Sequence, residues 1–129
     1  DLLDVLKRQD GTTYIFVSHD LAVVKAISDR VAVLYQGRIC EIGSVAAVYS
    51  APFHPYTDAL LGAVLEPDPD VVPRLTADDA VELSPPKMGC PFQRRCPRKL
   101  GSICETDIPT AQEIVPGHVI HCHIPQIDL

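Results

Sequence analysis

The sequence predicts an α/β fold that runs into a small, irregular, cysteine-rich α+β extension. Three observations predict it. An apolar run, Tyr14-Ile-Phe-Val17, ends in Ser18-His19-Asp20 and gives way to helical spacing, the strand-to-helix order of α/β domains. All 12 prolines lie at or after Pro52. Proline removes a backbone donor and breaks helices and central strands, so regular packed elements are expected before that point and irregular ones after it. Four of the 5 cysteines, Cys90, Cys96, Cys104 and Cys122, fall late in the chain among basic residues.

Taken in order, Leu2, Leu3, Val5 and Leu6 sit at helical spacing among polar residues, which predicts an amphipathic helix over 1–9. Gly11 suits the left-handed position that ends it. Residues 13–18 are β-prone throughout, as expected of a parallel strand covered on both faces. Asp20 caps the next helix, whose Leu21, Val24 and Ile27 form one stripe. A second strand follows over 30–35, a turn at Gln36-Gly37, and a returning strand over 38–42. Ser44 caps a short helix to Ser50. Pro55 opens another, with Leu60, Leu61, Val64 and Leu65 on its apolar side. Residues 66–86 read as a linker or extended arm, and the cysteine-rich tail begins at Lys87.

The net charge of −6 argues against a nucleic-acid surface, which needs a basic field. No apolar run approaches the roughly 18 residues of a membrane-spanning helix. The first residues have neither the basic start nor the apolar stretch of a signal peptide, and read as the interior of a helix, so the chain is expected to be a fragment. A proline-rich tail with few large apolar groups makes a marginal core, for which a bound metal is a natural staple.

The four late cysteines follow the spacing C-x5-C-x7-C-x17-C. Reduced cytosolic thiols hold metals more often than they cross-link. The paired C-x2-C knuckles of zinc fingers are missing, while iron–sulfur clusters tolerate wide loops between four thiolates. Cys90 and Cys96 are each followed by proline, which leads the chain away from a ligand. Lys87, Arg94, Arg95, Arg98 and Lys99 would offset a cluster's negative charge, or else simply keep a loop solvated. Spacing alone leaves iron–sulfur, zinc, disulfides and free thiols open. His118, His121 and His123 flank the last thiol. If 118–123 form a strand, His121 and His123 share one face and Cys122 the other, which makes the two histidines surface or supporting groups. Cys40, between Ile39 and Ile42 in the hairpin, reads as a small buried hydrophobe.

His19 stands where a strand meets a helix, the place at which open α/β sheets bind anions. The local pattern leaves two readings, a phosphate contact or a histidine satisfying a loop carbonyl, and the second is the commoner. Tyr56 reads as a packing residue that seats its helix on the preceding domain.

Val17-Ser-His-Asp-Leu21, Ser28-Asp-Arg-Val-Ala-Val-Leu-Tyr-Gln-Gly-Arg-Ile39 and Glu41-Ile-Gly43 resemble the end of the ATP-binding subunit of ABC transporters. His54-Pro-Tyr-Thr57 and the cysteine set narrow the resemblance to the dipeptide/oligopeptide (or nickel) importers, over essentially the whole chain. The resemblance implies the C-terminal portion of a P-loop NTPase (ABC ATPase) core. It implies that His19 is the switch histidine, which contacts the γ-phosphate of ATP, polarises it and helps to position the attacking water. It also implies a [4Fe–4S] cluster on Cys90, Cys96, Cys104 and Cys122, carried by Gly89-Cys-Pro-Phe92, Arg95-Cys-Pro97, Ile103-Cys104 and His121-Cys-His123; its rivals are disulfides formed in purified material and zinc on the same residues.

The departures bear on activity. The chain has no G-x-x-x-x-G-K-[ST] phosphate loop, no magnesium-binding Asp-Glu pair, no glutamine loop and no signature motif, all of which come earlier in the family's chain order. Phosphoryl transfer depends on that loop, its lysine and Mg²⁺. ATP hydrolysis with Mg²⁺ is therefore expected of a parent protein and not of this segment alone. The implied layout is the end of the nucleotide-binding domain over 1–51, the His-Pro-Tyr helix and linker over 52–86, and the cysteine-rich domain over 87–129. The implied partners are a second ATPase subunit, transmembrane permeases and, indirectly, an extracytoplasmic peptide-binding protein, with the subunit peripheral on the cytoplasmic face of the membrane. Two rival readings stand beside this one: a stand-alone iron–sulfur or zinc module with no nucleotide role, and an electron carrier.

Overall fold

The computed structural model describes residues 2–65 and 84–129, so most of the expected linker lies outside the described residues. The chain opens with helix α1, Leu2–Asp10, which is joined to the loop before the first strand by a Lys7–Asp29 ion pair. The strand expected over 13–18 does not form. Residues 11–20 are exposed and irregular, with Ile15 and Val17 95% and 93% exposed. A strand is held by backbone bonds to its neighbours, and among the described residues none pairs with this run.

Helix α2, Leu21–Ile27, begins where Asp20 supplies its cap: the carboxylate accepts the N–H groups of Ala22 and Val23 at 3.0 and 3.1 Å. Strands β1, Arg30–Tyr35, and β2, Arg38–Ser44, form the expected hairpin. Gln36 and Gly37 both take positive φ, 48° and 77°, the backbone of a tight turn matched to strand twist. Ser44 Oγ accepts the Ala47 N–H at 3.2 Å and starts α3, Val45–Val48. The Tyr49 hydroxyl donates to the Leu21 carbonyl at 2.7 Å, which fastens α2 to this turn.

Helix α4 runs Pro55–Leu65, opening on proline at a position whose missing N–H costs nothing. The tail contributes a short helix α5, Ser102–Thr106, and a second hairpin of β3, Ala111–Val115, and β4, His118–His121, then a 3₁₀ turn over Gln126–Asp128. The two hairpins join in one antiparallel sheet of order β1-β2-β4-β3. β4 lies on β2 with Glu41 opposite Ile120 and Ile42 opposite Val119.

Two apolar cores flank this joint. One gathers Phe92, 1% exposed, with Cys90 and Cys104, against which Tyr35, Tyr56 and Cys96 pack. The Tyr35 and Tyr56 rings lie 4.7 Å apart edge to face, and both meet Phe92, at 5.2 and 5.3 Å. Tyr56 thus packs α4 against β1, as its position beside a helix start predicts. The other core is Ile120, Cys122 and Ile124 with Ile114 and Leu129. No described helix is long and apolar enough to cross a membrane.

Candidate functional site

Cys90, Cys96 and Cys104 gather around Phe92, and Cys122 lies in the other core, near enough for its charge to be felt at Cys90. The Cys90 N–H donates to the Cys104 carbonyl at 2.8 Å, which fastens the first thiol loop to α5. This approach needs Gly89, at φ 79°, because a Cβ there would sit 2.3 Å from the Cys104 carbonyl oxygen. Residues 92–96 then turn tightly, the Cys96 N–H bonding the Phe92 carbonyl at 2.9 Å. Cys122 arrives from the other side at the end of β4, and Gln112 Nε2 donates to its carbonyl at 2.6 Å.

Burial pushes the Cys90 thiol up to about 11, and the nearby Cys122, Cys104 and Cys96 sulfurs add to the rise. Burial likewise raises Cys96 and Cys122, each of which also feels the sulfur of Cys104. Opposing this, three sulfurs face the backbone N–H two residues on: Phe92 for Cys90, Arg98 for Cys96 and Ile124 for Cys122. Where proline follows the cysteine, as at 91 and 97, that is the first N–H available. All five cysteines are free thiols. Among the described residues, no three of His, Cys, Asp and Glu already stand at metal-holding distances.

Three thiols surround Phe92, the fourth lies in the other core, and backbone N–H groups are placed to stabilise charge on three of the sulfurs. Of the basic residues around the first two thiols, Arg98 bonds the Asp128 carbonyl and Lys99 pairs with Glu105, so these two knit the tail together.

The histidines separate into three kinds. His19 is exposed on the irregular segment just before the Asp20 cap. His121 and His123 are partly exposed, and burial alternates along 118–124 so that Cys122 faces inward with Ile120 and Ile124. His54 and His118 are buried, 2% and 3% exposed, and both bond Glu41, itself fully buried. His118 Nε2 lies 2.7 Å from Glu41 Oε1, and the His54 backbone N–H donates to Oε2 at 2.9 Å. In the sequence this buried carboxylate shows only as an acidic residue between Cys40 and Ile42 in a hairpin strand.

Cys40 is 4% exposed, and burial first, then the Cys90 sulfur, pushes its thiol up to about 12, so it stands as a buried small side chain. It shares with His54, Cys90 and His121 the lining of a cavity of about 420 Å³ between β2 and the tail.

These features define a small α/β unit in which a cysteine-bearing tail is seated on a β-hairpin, and comparison with known proteins gives its family. The profile of the family described as oligopeptide/dipeptide transporter, C-terminal region, matches residues 40–104, half of the chain, and the protein belongs to that family. The chain is 45% identical over 124 residues to a Brucella ovis protein whose name describes peptide import and ATP binding, covering 95% of this chain and 39% of that one. It is 39% identical over 129 residues to a Bacillus subtilis protein named for oligopeptide transport and ATP binding, covering 96% of this chain and 39% of that one. The chain therefore spans about two fifths of the length of these relatives.

Proposed function

We propose that the chain is the C-terminal portion of the ATP-hydrolysing subunit of a peptide ABC importer. The observation that supports the reading most is the family match over residues 40–104, which includes most of β2, the His54-Pro-Tyr motif and three of the four late thiols. In this reading residues 1–51 end the nucleotide-binding domain, 52–86 hold the His-Pro-Tyr helix and linker, and 87–129 form the cysteine-rich domain. His19 meets the γ-phosphate of Mg·ATP, and its exposure leaves the imidazole open to a nucleotide brought by the rest of the domain. The subunit pairs with a second ATPase and docks on membrane permeases that receive peptide from an extracytoplasmic binding protein, on the cytoplasmic face of the membrane.

Cys90, Cys96, Cys104 and Cys122 would hold a [4Fe–4S] cluster. When bound, such a group supplies a four-armed cross-link for a core that is otherwise small, and a one-electron couple. Free thiols, inward burial and N–H groups facing three sulfurs support this donor set.

Two measurements test the reading. In the full-length protein, His19→Ala should lower the single-turnover ATPase rate about a hundredfold or more while nucleotide still binds. An unchanged rate would remove His19 from the phosphate site. Protein prepared without oxygen should show broad absorption at about 400 nm that is lost in Cys96→Ser. Colourless protein carrying one zinc per chain would instead assign the thiols to zinc.

A further inference from the structure

A fully buried carboxylate calls for partners, because an unpaired charge is strongly disfavoured away from water. Glu41 finds its partners on two other segments: the His54 backbone N–H before α4, and His118 Nε2 at the start of β4. The strand is shaped for the second of these. Gly43 lies on the same face two residues on, and a Cβ there would come within 3.0 Å of His118 Cδ2. A carboxylate and a missing side chain together make a socket for one imidazole.

The His54 ring extends the joint. Its Nδ1 accepts the Tyr56 N–H at 3.0 Å, which leaves Nε2–H to donate to the His121 carbonyl. Both ends of β4 are thus fixed by residues of the first half of the chain, and Cys122 follows immediately. The strand pairing itself is brief, from Glu41↔Ile120 to Ile42↔Val119, and a cavity runs beside it. Side-chain bonds must supply much of the docking.

We infer that Glu41 is a positioning residue that seats β4, and through it Cys122, on the β1–β2 hairpin. Cys90, Cys96 and Cys104 belong to the loop and helix ahead of β3, so the fourth thiol joins them only when β4 is seated. That consequence for a thiolate centre rests on the reading above, whereas the docking does not.

The test compares Glu41→Ala, Glu41→Gln and His118→Leu in the full-length protein, stripped of metal with a chelator and reductant. Two quantities are read by mass spectrometry: alkylation of Cys122 by N-ethylmaleimide, with Cys104 as internal reference, and amide exchange along β1, β2 and β4. Glu41→Ala leaves two buried donors unpaired, so Cys122 should label about tenfold faster or more, and β4 should lose protection while β1 keeps it. Glu41→Gln keeps an acceptor for His54 and, with His118 in its other tautomer, a bond to that ring, so it should restore most of the protection. Should Glu41→Ala not fold, His118→Leu reads the same opening from the tail side. Cys122 labelling at the wild-type rate in a folded variant would overturn the inference. So would β1 opening in step with β4, or Glu41→Gln as loose as Glu41→Ala. Failure of the wild-type protein to take up iron or zinc would count against the thiolate reading alone, because the labelling and exchange are measured without metal.

Discussion

His118 Nε2 lies 2.7 Å from Glu41 Oε1, with both side chains shut off from solvent and 77 positions apart in the chain. The pair sits where β2 and β4 meet, so it joins a hairpin made early in the sequence to a strand made late. Removing one member of such a pair strands the other in a low-dielectric site. His118→Ala should therefore destabilise the protein by about 3 to 5 kcal/mol, read from urea unfolding of the full-length protein. In a double-mutant cycle with Glu41→Ala the two losses should fall short of additivity by about 1 kcal/mol or more. Strict additivity would mean that the two side chains contribute independently.

His54 sets a pH dependence. Burial holds its imidazole well below the ordinary value, from 6.5 down to about 4, with the His121 carbonyl pulling weakly the other way and the His121 ring adding to the fall. Glu41 faces the same residue through its backbone N–H. The folded state thus prefers the neutral ring, and between pH 4 and 6.5 the unfolded chain binds the extra proton. Stability from this group is complete above pH 6.5, declines as pH drops through that window, and levels off below about 4, a loss on the order of 3 kcal/mol. Urea midpoints taken across the window should fall with acid in the wild type, and His54→Asn should flatten that slope. A wild-type midpoint that is level from pH 7 to 4 would contradict the assignment.

Phe92 carries the aromatic joint between the tail and the first half of the chain. It is 1% exposed, and its ring meets Tyr35 of β1, Tyr56 of α4 and, at 6.1 Å, His54. Phe92→Ala should cost about 3 to 5 kcal/mol by urea unfolding, because the surrounding rings cannot collapse into the space without releasing one another. Phe92→Leu, which keeps apolar volume, should cost less. Equal losses would argue that ring geometry rather than filled volume is what matters here.

Local chemistry was legible in the sequence. Asp20, Ser44 and Pro55 start helices where their side chains or fixed φ predict, and Gln36-Gly37 turns the hairpin. Each of those features is decided by neighbours a few residues away. What failed was what depends on distant partners. Tyr14–Val17 has strand composition, yet no strand forms, since composition cannot provide a neighbour to bond. The seating of β4 on β2 was equally hidden, because charged residues read as surface until a partner from far along the chain is known. The cysteines were legible as a set, while their approach from three segments and the N–H groups facing the sulfurs were not.

Gly89 ties these local and distant effects together. Its φ of 79° is one that a side chain resists, and an added Cβ would press to 2.3 Å of the Cys104 carbonyl oxygen and 2.5 Å of the Glu105 carbonyl carbon. Both obstacles are backbone, so nothing flexible can move aside. Gly89→Ala must therefore push the Cys90 loop away from α5 and lengthen the 2.8 Å bond from the Cys90 N–H to the Cys104 carbonyl. The strain of the left-handed backbone alone amounts to about 1 to 2 kcal/mol, and the clash adds to it. Urea unfolding should show a loss of at least that size, and in the folded variant Cys90 and Cys104 should both alkylate faster while Cys40, in the hairpin, keeps its wild-type rate. Should Cys40 speed up equally, the substitution has opened the whole molecule, and the role of Gly89 in bringing two thiols together would have to be abandoned.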